Sequence, residues 1–277
     1  MDSSPSKKSR KQKDLVITEK GAPSNVAEIL SGNGGAVRLW ADYPYRDLAW
    51  LEPYMDLVRS ITINAVSVVD VSLLSKASGL REIGSASSKV RGIPAGHVWP
   101  ELRAYFGYYY PALDAQLASG TLRALGLNGA TDQGLAAIHA DLEGLNIYHP
   151  RAEGGQGWTG AHLLPGSVTH VWSPRHPLSL ADFTGLGGAP RMDFDGAKAL
   201  IGLDRATRDV PAHWIGISNV KELVCERSIW DINAKRIAVE AERGIPAWLE
   251  REWHRRPKGW NERWVLGDLL EKRLSRI

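Results

Sequence analysis

Several stretches of this chain carry residue types that do chemistry in other proteins. Gly155-Gln-Gly157-Trp-Thr-Gly160 spells Gly-x-Gly-x-x-Gly, a turn that receives a pyrophosphate when it opens a helix. The segment after it, Ala161-His-Leu-Leu-Pro165, is too short for that helix, so residues 153–160 read as a surface loop. His149, His162, His170 and His176 gather around the loop and would hold a metal ion if a carboxylate joined them. Their spacing follows no ligand pattern, and Pro150, Pro174 and Pro177 mark turn-rich surface, so neither metal nor cofactor is expected. Cys225 has no histidine near it in sequence and reads as a buried structural thiol. Trp248, Trp253, Trp260 and Trp264 alternate with Arg251, Arg255, Arg256, Lys258 and Arg263, a composition that can stack on single-stranded bases. Tryptophans at helical spacing more often close a hydrophobic end, which is the reading adopted.

Met192-Asp-Phe-Asp-Gly196 resembles the apolar-Asp-x-Asp-Gly-Thr signature of haloacid-dehalogenase-type phosphatases. The resemblance implies a Mg²⁺-dependent phosphohydrolase in which one of Asp193 and Asp195 is the nucleophile and the other the acid/base. Ala197 stands where the signature has Thr, and the rest of that family's sheet has no room in the chain after Asp193. Asp193 and Asp195 therefore read as an acidic patch. Phosphohydrolysis and nucleic-acid association are kept as alternatives to a non-enzymatic reading.

The elements that position these residues follow from a recurring phrase. Leu80-Arg-Glu-Ile83, Leu102-Arg-Ala-Tyr105, Leu122-Arg-Ala-Leu125-Gly-Leu127 and Leu142-Glu-Gly-Leu145-Asn-Ile147 begin 22, 20 and 20 residues apart. That spacing lies inside the ~20–29 residue range of one repeat family. Looser copies are Val58-Arg-Ser-Ile61-Thr-Ile63, Val168-Thr-His-Val171, Ala189-Pro-Arg-Met192-Asp-Phe194 and Ala212-His-Trp-Ile215-Gly-Ile217, with Val37-Arg-Leu39 as a first rung. In these phrases the chain resembles the leucine-rich repeat family, short-repeat bacterial type, over about residues 36–235. The resemblance implies an α/β fold. That fold would be a right-handed leucine-rich-repeat-like solenoid with a parallel sheet on the concave face, short helices or 3₁₀ turns on the convex face, and a C-terminal helical cap. The family's turn asparagine is missing: its positions are Val66, Ser88, Tyr110, Ala130, Pro150, His176, Ala197 and Val220.

Composition sets the division of the chain. Residues 1–30 read as a disordered basic tail and lead-in, because Lys7, Lys8, Arg10, Lys11 and Lys13 sit among Ser and Gln with no apolar run. Residues 31–243 form the repeats, with an N-terminal cap at Tyr45–Tyr54 whose helical spacing Pro53 interrupts. Residues 244–277 form the C-terminal cap, read as two short amphipathic helices at 246–253 and 264–274. The excess in the repeat from Leu142 to Val168 is assigned to the 153–160 loop. One cysteine in 277 residues excludes an internal disulfide framework. No signal peptide or membrane span is evident, so the expected location is cytoplasmic. Net charge is +3 and the basic tail supplies the excess, so no general affinity for nucleic acid is expected.

Strand alternation sends the Leu-x-Leu pair inward and the residues beside it outward. The outward set is Arg38, Trp40, Thr62, Glu82, Gly84, Phe106, Tyr108, Gly126, Asn146, Tyr148, His170, Trp172, Arg191, Asp193 and Trp214. Aromatics and arginine anchor protein interfaces. The expected site is thus Phe106, Tyr108, Asn146, Tyr148, His170, Trp172, Arg191, Asp193 and Trp214, facing a protein partner and no small-molecule substrate. A neutralising, immunity-type or regulatory binder is the expected role.

Overall fold

The computed structural model describes residues 15, 17, 22–149, 151, 161–172, 177–179, 191–209 and 211–276. Its strands, in chain order, are β1 Ala36–Leu39, β2 Ser60–Ile63, β3 Glu82–Ser85, β4 Ala104–Tyr108, β5 Ala124–Asn128, β6 Ala140–Tyr148, β7 Ala161–Trp172, β8 Pro177–Ser179, β9 Arg191–Asp195, β10 Ala199–Ile201, β11 Ala212–Ser218, β12 Leu223–Val224, β13 Ala234–Glu240 and β14 Trp264–Leu266. Eleven of them form one parallel sheet in the order β1-β2-β3-β4-β5-β6-β7-β9-β11-β13-β14, each paired with the next along the chain. The fold is α/β, with a large parallel sheet and short helices.

Inward positions explain why these segments are strands. One row across the sheet runs Leu39, Ile63 and, further on, Leu127, Ile147, Val171, Phe194, Ile217, Val239 and Leu266. All of these are at most 7% exposed. Between Ile63 and Leu127 the row narrows to Ser85 and Gly107, because the buried ring of Tyr105 occupies the space. A side chain on Gly107 would meet the Tyr105 ring at 3.0–3.2 Å. The Tyr105 hydroxyl donates to Tyr108 O at 2.7 Å, so burying it leaves no polar atom unsatisfied.

The segments between strands cover this inward face. A 3₁₀ helix at Ala49–Leu57 tolerates Pro53 and buries Leu51 and Met55, and Ser72–Lys76 buries Leu74. Pro111–Leu113 continues into the helix Asp114–Ala118, and the helix Asp132–Ala136 is capped by Thr131 Oγ1, which accepts from Gly134 N at 3.2 Å. Trp99, 1% exposed, locks two of these segments together. Its indole N–H donates to Leu74 O at 2.7 Å and its backbone N–H donates to the buried Gln116 Oε1 at 2.7 Å.

Four features differ from the sequence expectation. The covered face is not helical throughout: β8, β10 and β12 form a second parallel sheet, with Leu178, Leu200 and Leu223 in one row. The sheet runs on into the C-terminal cap region: beyond β13 it gains β14, and Trp264–Leu266 is a strand where a helix was expected. Its inward Trp264 and Leu266 complete the core rows, and a helix follows only at Asp268–Leu274. The lead-in also contains structure: the helix Val26–Gly32 buries Val26 and Leu30 against the core, with Leu15 and Ile17 buried beside it. Finally, the excess residues of the long repeat enter β7 itself. Leu142 pairs with Leu163 but Gly144 pairs with Val168, so Leu164–Ser167 bulge opposite Glu143, where Pro165 cannot supply a ladder donor.

Turns where an asparagine was looked for are held by backbone bonds to the neighbouring turn. Gly129 N donates to Tyr148 O at 2.8 Å, His149 N to Trp172 O at 2.8 Å, Gly196 N to Ser218 O at 2.8 Å and Asn219 N to Glu240 O at 3.0 Å. Ala130, Ala197 and Val220 fill three of the asparagine positions as buried apolar residues. At the opposite strand ends an arginine ladder appears that the sequence reading did not recognise. Arg59, Arg81, Arg103 and Arg123 are joined in succession by N–H to carbonyl bonds of 2.7, 2.8 and 2.7 Å. Three of their side chains reach to the next segment: Arg81 to Glu101, Arg103 to Thr121 O and Arg123 to Asp141 O.

Leu145→Ala, at a fully buried position, should lower unfolding stability by about 2–5 kcal/mol. Asn146→Ala, its outward neighbour, should change it by no more than about 0.5 kcal/mol. Chemical denaturation of the two variants checks the register, and equal losses would refute it.

Candidate functional site

The other face of the main sheet carries the outward positions, which the pairing register aligns in rows. The central row is Arg38, Thr62, Gly84, Phe106, Gly126, Asn146, His170, Asp193, Gly216, Ala238 and Val265. A second row, nearer the C-terminal strand ends, is Tyr108, Asn128, Tyr148, Trp172, Asp195, Ser218 and Glu240. Phe106, Asn146, His170 and Asp193 therefore share one row, and Tyr108, Tyr148 and Trp172 share the next. Asn128 completes the second row and was not among the expected site residues. It stands two residues after Gly126, where strand alternation returns the chain to the same face.

Small residues between large ones give this face relief. Phe106 lies across Gly126, where a Cβ would come 2.6 Å from its ring, and is 38% exposed. Gly84, Gly126 and the aromatic rings of Phe106, Tyr108 and Tyr148 line a shallow cleft of about 380 Å³. The His170 ring meets Tyr148 edge-on at 5.8 Å, and His149 tilts onto Trp172 at 4.1 Å. His149 reaches Trp172 from a left-handed backbone conformation, φ +46°, which His adopts more readily than most residues.

Arg191 and Trp214 lie on the same face one row nearer the N-terminal strand ends. Arg191 Nε donates to Asp193 Oδ2 at 2.7 Å while its guanidinium stands 5.9 Å from the centre of the Trp214 ring. Gly216 lies beneath the Asp193 carboxylate, and a methyl group there would collide with Oδ1. The Trp214 indole N–H is enclosed in this cluster without an acceptor among the described residues. Asp195 accepts from Asn219 Nδ2 at 3.4 Å. The Asp193 carboxylate is thus already committed to a guanidinium, which is how a structural ion pair, and not a free nucleophile, is arranged.

Other candidates from the sequence are placed apart from this face. Trp248, Trp253 and Trp264 are buried, and Trp260 packs on Trp253 with ring centres 4.9 Å apart. Arg256 stands 4.4 Å from the centre of the Trp253 ring. Three of the four tryptophans therefore offer no face to a base. Gly155–Gly160, His176 and the side chain of His162 lie outside the described residues, and Ala161–Pro165 belongs to β7. Among the described residues no three His, Cys, Asp or Glu side chains converge as metal ligands would. Among those residues, too, no helix is long and apolar enough to cross a membrane. Cys225 is half-buried, and burial, then the Asp204 carboxylate, push its thiol up to about 12.

No protein-family model, curated protein or solved structure matches the chain.

Burial also pushes the phenols of Tyr43, Tyr109 and Tyr110 up to about 12 and holds Tyr105 well above the ordinary 10.0. The folded state therefore retains protons that the unfolded chain releases near 9.0 for the thiol and 10.0 for the phenols. The stability linked to these groups is intact below those values and is lost as pH rises toward about 12. Denaturant midpoints should fall across that window together with delayed tyrosinate absorbance. A flat midpoint would contradict the burial of these rings.

Proposed function

We propose that this chain is a right-handed leucine-rich-repeat-like solenoid with capped ends that binds another protein through its open face. The binding surface is the pair of rows bearing Phe106, Tyr108, Asn146, Tyr148, His170 and Trp172, continued by Arg191, Asp193 and Trp214. One observation carries the reading: Phe106, Tyr108, Tyr148 and Trp172 stand in adjacent register on the outward sheet face, half-buried or exposed among the described residues and outside the core. Phe, Tyr and Trp each bring about 150–250 Å² of contact surface, and Tyr and Trp add a polar tip. The Arg191–Asp193 pair and His170 give the surface a fixed polar pattern, which orients a partner more than it adds affinity.

The action is steric. A protein seated on this face is covered by it, which suits a neutralising or regulatory binder. The single cysteine fits a reducing, cytoplasmic setting for that encounter.

The test is affinity capture from the native host with wild-type chain beside the Tyr148→Ala/Trp172→Ala variant. The variant should unfold within about 1 kcal/mol of wild type, because neither ring is core, and should lose the captured protein. Unfolding of the variant would place the rings in the core. Retention of the same proteins by both would move the interface off this face.

A further inference from the structure

Beyond the C-terminal ends of β4 and β5 the chain forms a cleft of about 560 Å³. Tyr108 and Asn128, the last residues of those strands, belong to the second row of the open face and also line the cleft. Tyr109, Tyr110, Arg91 and Arg151 form the rest of its reactive lining. The open face and the cleft are therefore one continuous surface that turns over the strand ends.

The walls are fixed before anything binds. Tyr109 donates its hydroxyl to Asp114 Oδ1 at 2.8 Å, and Tyr110 donates its hydroxyl to Ser87 O at 3.1 Å. Among the described residues the Tyr108 hydroxyl makes no hydrogen bond, and it lines the cleft. Backbone bridges bring the two arginines here from irregular segments: Arg91 pairs with Asp70, and Arg151 pairs with Thr131. Arg151 lies along the turn after β5, with Nε 3.6 Å from where a Gly129 Cβ would stand.

Arg91 uses Nη1 alone, donating to Ser88 O and Val90 O at 3.2 and 2.9 Å, and neither it nor Arg151 has an ion-pair partner among the described residues. The contrast is local, because Arg81 and Arg123 in the neighbouring ladder both face carboxylates. Two exposed guanidiniums with free N–H groups, on a rigid tyrosine wall, form a receptor for carboxylates held in bidentate geometry.

We propose that this cleft takes an acidic segment of the protein partner, with Asp or Glu side chains on Arg91 and Arg151 and the Tyr108 hydroxyl. The inference rests on the reading of the open face as a protein-binding surface and names the chemistry that the partner presents at its edge. A partner whose main contact is aromatic would be held in register by this charged corner, since Arg and Tyr together make up the groups that dominate interface energies.

The full chain is titrated by calorimetry with capped hexaglutamate and, separately, capped hexaglutamine. Hexaglutamate should bind with an affinity that falls as salt rises, and hexaglutamine should not bind. Arg91→Gln and Arg151→Gln should each weaken hexaglutamate by roughly tenfold, the worth of one charge-assisted pair. Because the basic tail attracts any polyanion, Arg255→Gln/Arg276→Gln removes equal charge elsewhere and should leave the affinity nearly unchanged. Equal weakening by both double variants, or no binding of hexaglutamate to wild type, overturns the proposal. Partner capture separates the two readings. If Tyr148→Ala/Trp172→Ala loses the partner and Arg91→Gln/Arg151→Gln keeps it at full affinity, the cleft assignment fails and the open face stands. If the aromatic variant keeps the partner, the open-face reading itself fails.

Discussion

Parallel pairing of each strand with the next along the chain is the constraint on which everything else depends. Each strand joins a neighbour 20 to 27 residues away, from Ala104↔Ala124 to Ile237↔Trp264. Whatever varies in the segments between, the Leu-x-Leu positions return to the same two rows. A shift of one residue in any strand would turn its buried side chains outward and break rows on both faces. The long β7 shows how strictly this is kept: its surplus is ejected as a bulge before Val168, and His170 and Trp172 still align with Asn146 and Tyr148.

Because the strands are short, the residues just outside them hold neighbouring segments at the correct spacing. At one end of the strands the arginines at 59, 81, 103 and 123 carry the ladder forward, and their side chains tie each segment to its successor. At the other end, backbone bonds run from turn to turn. Buried Ala130, Ala197 and Val220 are then affordable where a polar residue would otherwise be needed.

The parts legible in the sequence are those with short-range signals. Alternation around Leu125-Gly-Leu127 and Leu145-Asn-Ile147 reveals both the buried rows and the outward neighbours. Trp264-Val-Leu266 was not legible as a strand, because three apolar residues before Asp268–Leu274 share the spacing of an amphipathic helix. Ala199–Ile201 and Leu223–Val224 are too short to declare themselves, and only their pairing in the second sheet makes them strands. The corner formed by Arg91 and Arg151 is invisible for a different reason. These residues are 60 positions apart in irregular segments, and only the bridges to Asp70 and Thr131 carry them to one cleft.

Linear strand order also makes the molecule a series circuit. Ten inter-strand steps of about 4.8 Å separate β1 from β14, so the two ends lie about 48 Å apart along the sheet. Among the described residues each main-sheet strand is hydrogen-bonded only to its immediate neighbours in that order. A load or a loosening introduced at β14 has to pass through β13 and β11 before reaching the aromatic rows, and a protein clamped over β4 to β7 would act as a stop to its spread. The terminal strand can therefore fray while the middle stays fixed, leaving one chain with an anchored centre and independently yielding ends.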